Sequence, residues 1–480
     1  MGELYRCPVL FITAMIFFHG SAFSQAYSPG QLLSSDFHEK RRELLRDKLP
    51  ARSVAVFFAN PVRNRSNDVD YPYHQDPDFY YLTGYTEPDA MLLIFKDDQE
   101  NLEGKKYNEI IFVQPKSEWD EMWTGKRMGV EGVKKDLGFD MVYVNADFQY
   151  YKLPLEHIRQ VLFKPFHDDI RNTVDKGDLY DLVQWFRQLS GMEDSLRQRD
   201  AGKKSRIKYD DQTLDRILDA MREIKTPEEL ALLQKAIDIS CMAHIETIKA
   251  GHPGISEREL QGVQEFIHRK YGSEAEGYPP IVGSGENTCI LHYEENSRTS
   301  IDSGDLVLMD VGAQYGGYSA DVTRTFPVDG TFTPEQKQIY DLVYKAQRAS
   351  IEACRKGVSF GEFQKAGYDV IANGLVELGI IRKPAEYQTY LPHGLSHHIG
   401  LDVHDRGDMY TLQENMVITI EPGIYIPDGS QCDKKWWETG VRIEDDLLVQ
   451  KDGCKVLSSL APSTSEEIED LMKQPGTPGE

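Results

Sequence analysis

Between residues 35 and 196, short apolar runs of β type at 53–59, 91–95, 110–113 and 141–144 alternate with helical spacing such as that of 36–48. This alternation predicts an α/β domain. From 197 to 211 charge is dense and apolar side chains are scarce, as expected of an exposed linker or a solvated helix face. The boundary is set there, giving a first domain at 25–205 and a second at 206–470. Residues 471–480 offer little to bury and predict a flexible tail.

The second domain echoes itself. Thr226-Pro227-Glu228-Glu229 is a capping box with proline at the first helical position, and Leu230, Leu233, Ile237, Cys241, Ile245 and Ile248 follow at helical spacing as far as Gly251. Ser256 with Glu259 opens a second helix running to Gly272. The same order returns with Thr333-Pro334-Glu335-Gln336, whose helix ends near Gly357, and with Ser359 and Glu362. Strand-like segments follow each helix pair, at 306–311 and 322–326, then at 417–420 and 441–449. Four boxes in one order predict a duplicated α+β domain, an antiparallel-sheet core with helices outside and a cleft between the halves.

Composition narrows the class. A chain of 480 residues exceeds what one ordinary core supports, so two domains are expected. Hydrophobic residues at 40% and charged residues at 28% fit a folded globular protein. A formal charge of −24 and the lack of a basic stripe argue against nucleic acid as a partner. Arg6, the apolar run 8–18 and Ala22-Phe23-Ser24 predict a signal peptide at 1–24 and hence export, to the periplasm or outside the cell, although Glu3 weakens the basic start. That run is shorter than a membrane span requires, and no second segment is long enough. Of the six cysteines, Cys241, Cys289, Cys354, Cys432 and Cys454 fall in the mature chain. None forms C-x-x-C, so isolated buried thiols are expected, with room for one disulfide in an oxidising compartment.

The candidate chemistry lies in the duplicated domain. Asp310 closes an apolar run, and Asp321 follows a Gly316-Gly317 turn. In the second half Glu421 and Glu444 take the matching places, so the repeat pairs Asp310 with Glu421 and Asp321 with Glu444. Four converging carboxylates repel one another severely unless cations neutralise them. The stretch 393–405 contributes His393, His397, His398 and His404, and His292 lies in the first half. A carboxylate-rich set with one imidazole suits Mn²⁺, Co²⁺, Fe²⁺ or Zn²⁺, with Mn²⁺ the first expectation. Two such ions about 3.5–4 Å apart can activate a bridging water for hydrolysis of a polarised carbonyl.

The order Asp310, Asp321, His397, Glu421, Glu444 resembles the ligand set of the pita-bread metallopeptidases, and of these the aminopeptidase P (Xaa-Pro aminopeptidase) family most closely. The segments 67–72 and 75–84 resemble that family's N-terminal domain. The resemblance implies a metal-dependent exopeptidase that releases the first residue of proline-containing peptides, with Asp310 on one ion, His397 and Glu421 on the other, and Asp321 and Glu444 bridging. Glu421 would also be the general base. His292, His393 and His404 would position substrate, stabilise the intermediate and assist proton transfer, with Arg442 beside the substrate. Trp123 resembles a tryptophan lent to a neighbouring subunit's cleft, against the plain reading of a core residue, and the family implies a homodimer or homotetramer. His74 stands where an arginine is expected, and His398 where a larger apolar or aromatic residue is usual, which would add a titratable neighbour to the site. Prolidase, which cuts Xaa-Pro dipeptides, shares the fold and ligands; a pita-bread module that only binds peptides is the alternative from another class. Methionine aminopeptidase fits poorly with so large an N-terminal domain, and metal-free creatinase-like proteins would lack the acids.

Overall fold

The computed structural model describes residues 33–101, 103–192 and 206–476. The expected signal peptide, most of the charged linker and the last four residues lie outside them.

The N-terminal part is built on a mixed six-stranded sheet in the order Val142–Val144, Lys106–Val113, Met91–Glu100, Ser53–Phe58, Gln160–Phe163 and Lys208–Asp210. Ser53–Phe58 runs antiparallel to Met91–Glu100 and parallel to Gln160–Phe163. The four expected apolar runs are its strands, and the helix expected at 36–48 forms as Ser35–Lys48. Two strands were not anticipated. Lys208–Asp210 pairs on one side only and carries Lys208 into solvent, so an edge position explains its polar sequence. It also carries the N-terminal sheet past residue 205.

The C-terminal part is the duplicated α+β structure. Helices Pro227–Ala250, Glu257–Lys270 and Pro334–Ala353 start from reciprocal capping boxes at Thr226, Ser256 and Thr333. At Ser359 the fourth box is half formed: the hydroxyl caps Phe360–Glu377, but the Glu362 side chain does not reach back. One three-stranded antiparallel sheet holds Ile281–Ser284, Leu306–Val311 and Val322–Pro327, and its counterpart holds Val417–Ile420, Asp445–Val449 and Cys454–Val456.

The expected single run 441–449 is broken. Thr439–Arg442 pairs with Gly423–Ile426, whereas Asp445–Val449 pairs with Val417–Ile420. At the break, the Glu444 amide donates to the Thr323 carbonyl at 3.1 Å and forms an isolated bridge to the first half. The chain crosses between sheets at the residue that carries the chemistry.

Instead of isolated thiols throughout, the cysteines form the one disulfide for which the sequence leaves room. Cys354 and Cys454 form a disulfide, Cα atoms 5.9 Å apart across 100 residues of sequence, while Cys241, Cys289 and Cys432 are free. Among the described residues no helix is long and apolar enough to cross a membrane.

Candidate metal centre

Asp310 lies on Leu306–Val311, opposite Thr323 in the antiparallel register. Asp321 follows a two-residue turn in which Gly316 and Gly317 have φ of 61° and 82°, a pair of positive values that selects glycine at both places. Between the acids the two strands come so close that a Cβ on Gly312 would collide with the Ala320 carbonyl. The second half repeats the plan, with Glu421 just past Val417–Ile420 and Glu444 at the strand crossover.

Asp310, Asp321 and Glu444 are buried and Glu421 is half-buried. Burial first, then the charges of Asp310 and Glu421, holds the Asp321 carboxyl well above the usual carboxylate range. Burial, then Asp321 and Asp310, does the same to Glu444. Glu421 is pushed up to about 8 by burial and by Glu444. Against these acids Arg442 is the one Arg or Lys lining the cavity, 2.5 Å from Asp310 Oδ2.

The donor set fits a divalent cation. The Nδ1–H of His397 faces the His398 carbonyl at 2.9 Å, an arrangement that leaves the lone pair on Nε2. That lone pair faces Asp321 Oδ2 at 3.4 Å and Glu421 Oε1 at 3.6 Å. Three acceptors turned toward one another need a cation or a proton between them. Ligand atoms of Asp321, His397 and Glu444 lie within 4.8 Å of each other. The Tyr278 hydroxyl points at Asp310 Oδ1 (2.5 Å) and Asp321 Oδ1 (2.8 Å), and its one proton cannot satisfy both. Imidazole and carboxylate donors without thiolate suit a first-row divalent ion.

These groups line a cavity of about 690 Å³ that also contains His292, His393, His404 and Arg442, so all nine residues expected at the site are brought together. The rings of His397 and His404 meet edge to face at 4.3 Å. Burial, with His397 and His292 nearby, lowers the pKa of His404; burial and Arg442 bring His393 down to about 4. Both imidazoles are therefore neutral near pH 7. The Arg442 guanidinium donates to the Tyr425 hydroxyl at 2.9 Å, and that hydroxyl lies 2.9 Å from His393 Nε2.

Residues 231–451 match the model of metallopeptidase family M24, and residues 38–157 that of the aminopeptidase P N-terminal domain. The Xaa-Pro aminopeptidase of Escherichia coli K12 is 34% identical over 458 residues, 92% of this chain and 98% of that protein. The chain belongs to the aminopeptidase P family of M24 metallopeptidases. Human Xaa-Pro aminopeptidase 3 is 33% identical over 438 residues, 88% of this chain and 81% of that protein. A solved E. coli aminopeptidase P carrying the inhibitor Pro-Leu superposes with a TM-score of 0.81 at 32% identity, covering 92% of this chain and 98% of that one.

Within this family framework the two departures resolve differently. His74 reaches from the N-terminal domain to Gln314, the two side-chain nitrogens 2.8 Å apart, and so joins the domains. His398 is not the extra titratable neighbour expected at the site. Consecutive residues of an extended segment face opposite ways, so when His397 turns to the acids His398 turns into the protein, against Phe360 at 5.2 Å. Its Nε2 lies 3.0 Å from the Asp408 carbonyl, and burial brings its pKa to about 4. Trp123 is 72% exposed and beside Trp119, which excludes the core reading.

Sequence reasoning missed Tyr278, Tyr425, Thr323 and Thr419. Thr323 donates to Glu444 at 2.6 Å, and Thr419 accepts from the His397 amide at 3.1 Å. The threonines lie on the acid-bearing strands, and Tyr425 follows Glu421 by four residues, so proximity in sequence was the available signal for these three. Tyr278 lies 32 residues before Asp310 and had none.

Proposed function

We propose that the chain releases the first residue of peptides that carry proline in second position, as a metal-dependent exopeptidase. The observation that carries this reading is the convergence of Asp310, Asp321, His397, Glu421 and Glu444 on one cavity, with the His397 lone pair turned toward carboxylate oxygens. Asp310 would hold one cation and His397 with Glu421 the other, with Asp321 and Glu444 available to both. When bound, the pair of ions supplies Lewis acidity toward the scissile carbonyl and toward water. Manganese is the proposed metal, on the oxygen-rich donor set.

The residues of the chain do the rest. Glu421, whose carboxylate a bound cation would keep ionised, takes the proton from the attacking water and delivers it toward the proline nitrogen, a secondary amine that must be protonated to leave. His404 and His292, on the cavity wall, place N–H donors where negative charge develops on the carbonyl oxygen. Both ring nitrogens of His393 are engaged, one with Tyr425 and one with the Gly394 carbonyl at 2.7 Å, which makes it a rigid support for Arg442 and the substrate.

Export is proposed on the leader-like pattern at 1–24 and on the Cys354–Cys454 disulfide, a bond that persists in oxidising compartments. A homodimer or homotetramer is proposed because Trp119, Met122 and Trp123 leave large apolar surfaces exposed on one short helix.

The test is to strip the protein with a chelator, restore Mn²⁺, and compare an Arg-Pro-Pro tripeptide with an Ala-Pro dipeptide. Metal-dependent preference for the tripeptide is expected. Preference for the dipeptide would make the chain a prolidase, and no cleavage of either would leave a peptide-binding module.

A further inference from the structure

The wall of the cavity that follows His292 is held from behind. The Tyr293 hydroxyl, buried, donates to Glu257 Oε2 at 2.9 Å and lies 3.1 Å from Ser297 Oγ. Asn296, also buried and at φ 45°, donates to the Pro280 carbonyl at 2.9 Å and accepts from the Val282 amide at 2.9 Å. With these two side chains fixed inward, the segment turns Ile290, His292 and Glu294 out to solvent, and all three line the cavity.

Of the five carboxylates on the cavity lining, four belong to the metal set; the fifth is Glu294. It is exposed and makes no ion pair or hydrogen bond with any described residue. Beside it Ile290, half exposed, and Leu291 offer apolar surface. A free carboxylate next to an apolar strip complements a side chain with a hydrocarbon stem and a cationic head. Of the two residues flanking the scissile bond the second is fixed as proline, so the first side chain is the one there that varies.

We infer that Glu294 selects peptides whose first residue is arginine or lysine, with Ile290 and Leu291 against its methylene stem; this rests on the Xaa-Pro reading above. Glu294 acts as a specificity determinant, apart from the ion-holding acids.

The experiment measures kcat/KM of the Mn²⁺-loaded full chain on Arg-Pro-Pro, norleucyl-Pro-Pro and Glu-Pro-Pro. An ion pair at a solvent-open rim is a weak contact, so the wild-type preference for arginine over norleucine is expected at roughly 2- to 5-fold, eroded by added salt. Glu294→Gln is expected to bring that ratio toward one, and Glu294→Lys to favour Glu-Pro-Pro over Arg-Pro-Pro. Unchanged ratios in both variants would overturn the inference. So would an equal loss on all three peptides, which would place the carboxylate on the substrate's α-ammonium group. Cleavage of the norleucyl peptide keeps the Xaa-Pro reading standing whichever way the ratios fall, and failure on every peptide overturns both.

Discussion

Behind Glu444, on the side away from the cavity, Arg324 ties the two halves of the catalytic domain together. Its guanidinium is fully buried and donates to the carbonyls of Thr323 (2.9 Å), Glu444 (2.6 Å) and Pro462 (2.5 Å), and pairs with Asp445 at 2.7 Å. Replacing it with methionine keeps much of the volume but strands the Asp445 carboxylate, which then retains only Ser458 (2.6 Å) and Gln347 (2.9 Å) as donors. Breaking a buried pair from one side costs about 3–5 kcal/mol. A cavity of about 450 Å³ reaches Arg324 from the opposite surface and can admit water to the freed carbonyls, so the lower end of that range applies. The assay is urea unfolding of metal-stripped wild type and Arg324→Met at equal slope, repeated with Asp445→Asn added. The double variant is expected to recover about half the loss, because it removes the stranded charge. A loss under about 1 kcal/mol, or no recovery in the double variant, would refute the assignment of Arg324 and Asp445 as the tie between the halves.

Three further outcomes follow from other contacts. Reduction, or Cys354→Ser, releases a 100-residue loop and should lower stability by up to about 4.7 kcal/mol, read as a denaturation midpoint with and without dithiothreitol; an unchanged midpoint would show that the bond constrains nothing. His38 is held at about 4, against an ordinary 6.5, chiefly by burial. Between those values the unfolded chain binds the extra proton, so stability falls as pH drops; from pH 7 to 5 the wild type should lose about 2 kcal/mol more than His38→Gln, and equal losses would contradict the burial argument. Tyr425→Phe removes the link between His393 and Arg442 and should lower kcat roughly 10-fold while metal content stays constant; lost metal would mean that the hydroxyl supports the ions instead.

The duplicated half of the molecule was open to reading because local rules agree there. Capping boxes at Thr226, Ser256 and Thr333 marked helix starts directly, and acids after apolar runs marked the strand ends that converge. The crossover at Glu444 stayed hidden, since a strand that changes sheets keeps its apolar alternation and only tertiary pairing distinguishes it from a continuous one. Lys208–Asp210 was hidden for a different reason: an edge strand favours charge, so its sequence looks like a linker. Side-chain direction was hidden too. His397 and His398 are equivalent in composition, and the pleat alone sends one to the metal centre and the other against Phe360. The Cys354–Cys454 pair could not be picked from five cysteines without the packing of the helix end on the last sheet.

The claim most exposed to test is that five side chains hold two divalent cations between the halves. Metal content per chain, measured after chelation and reloading, should be two for the wild type and fall below two for Asp310→Ala and Glu444→Ala, with peptidase activity lost in both. Two bound ions and full activity in either variant would contradict the account.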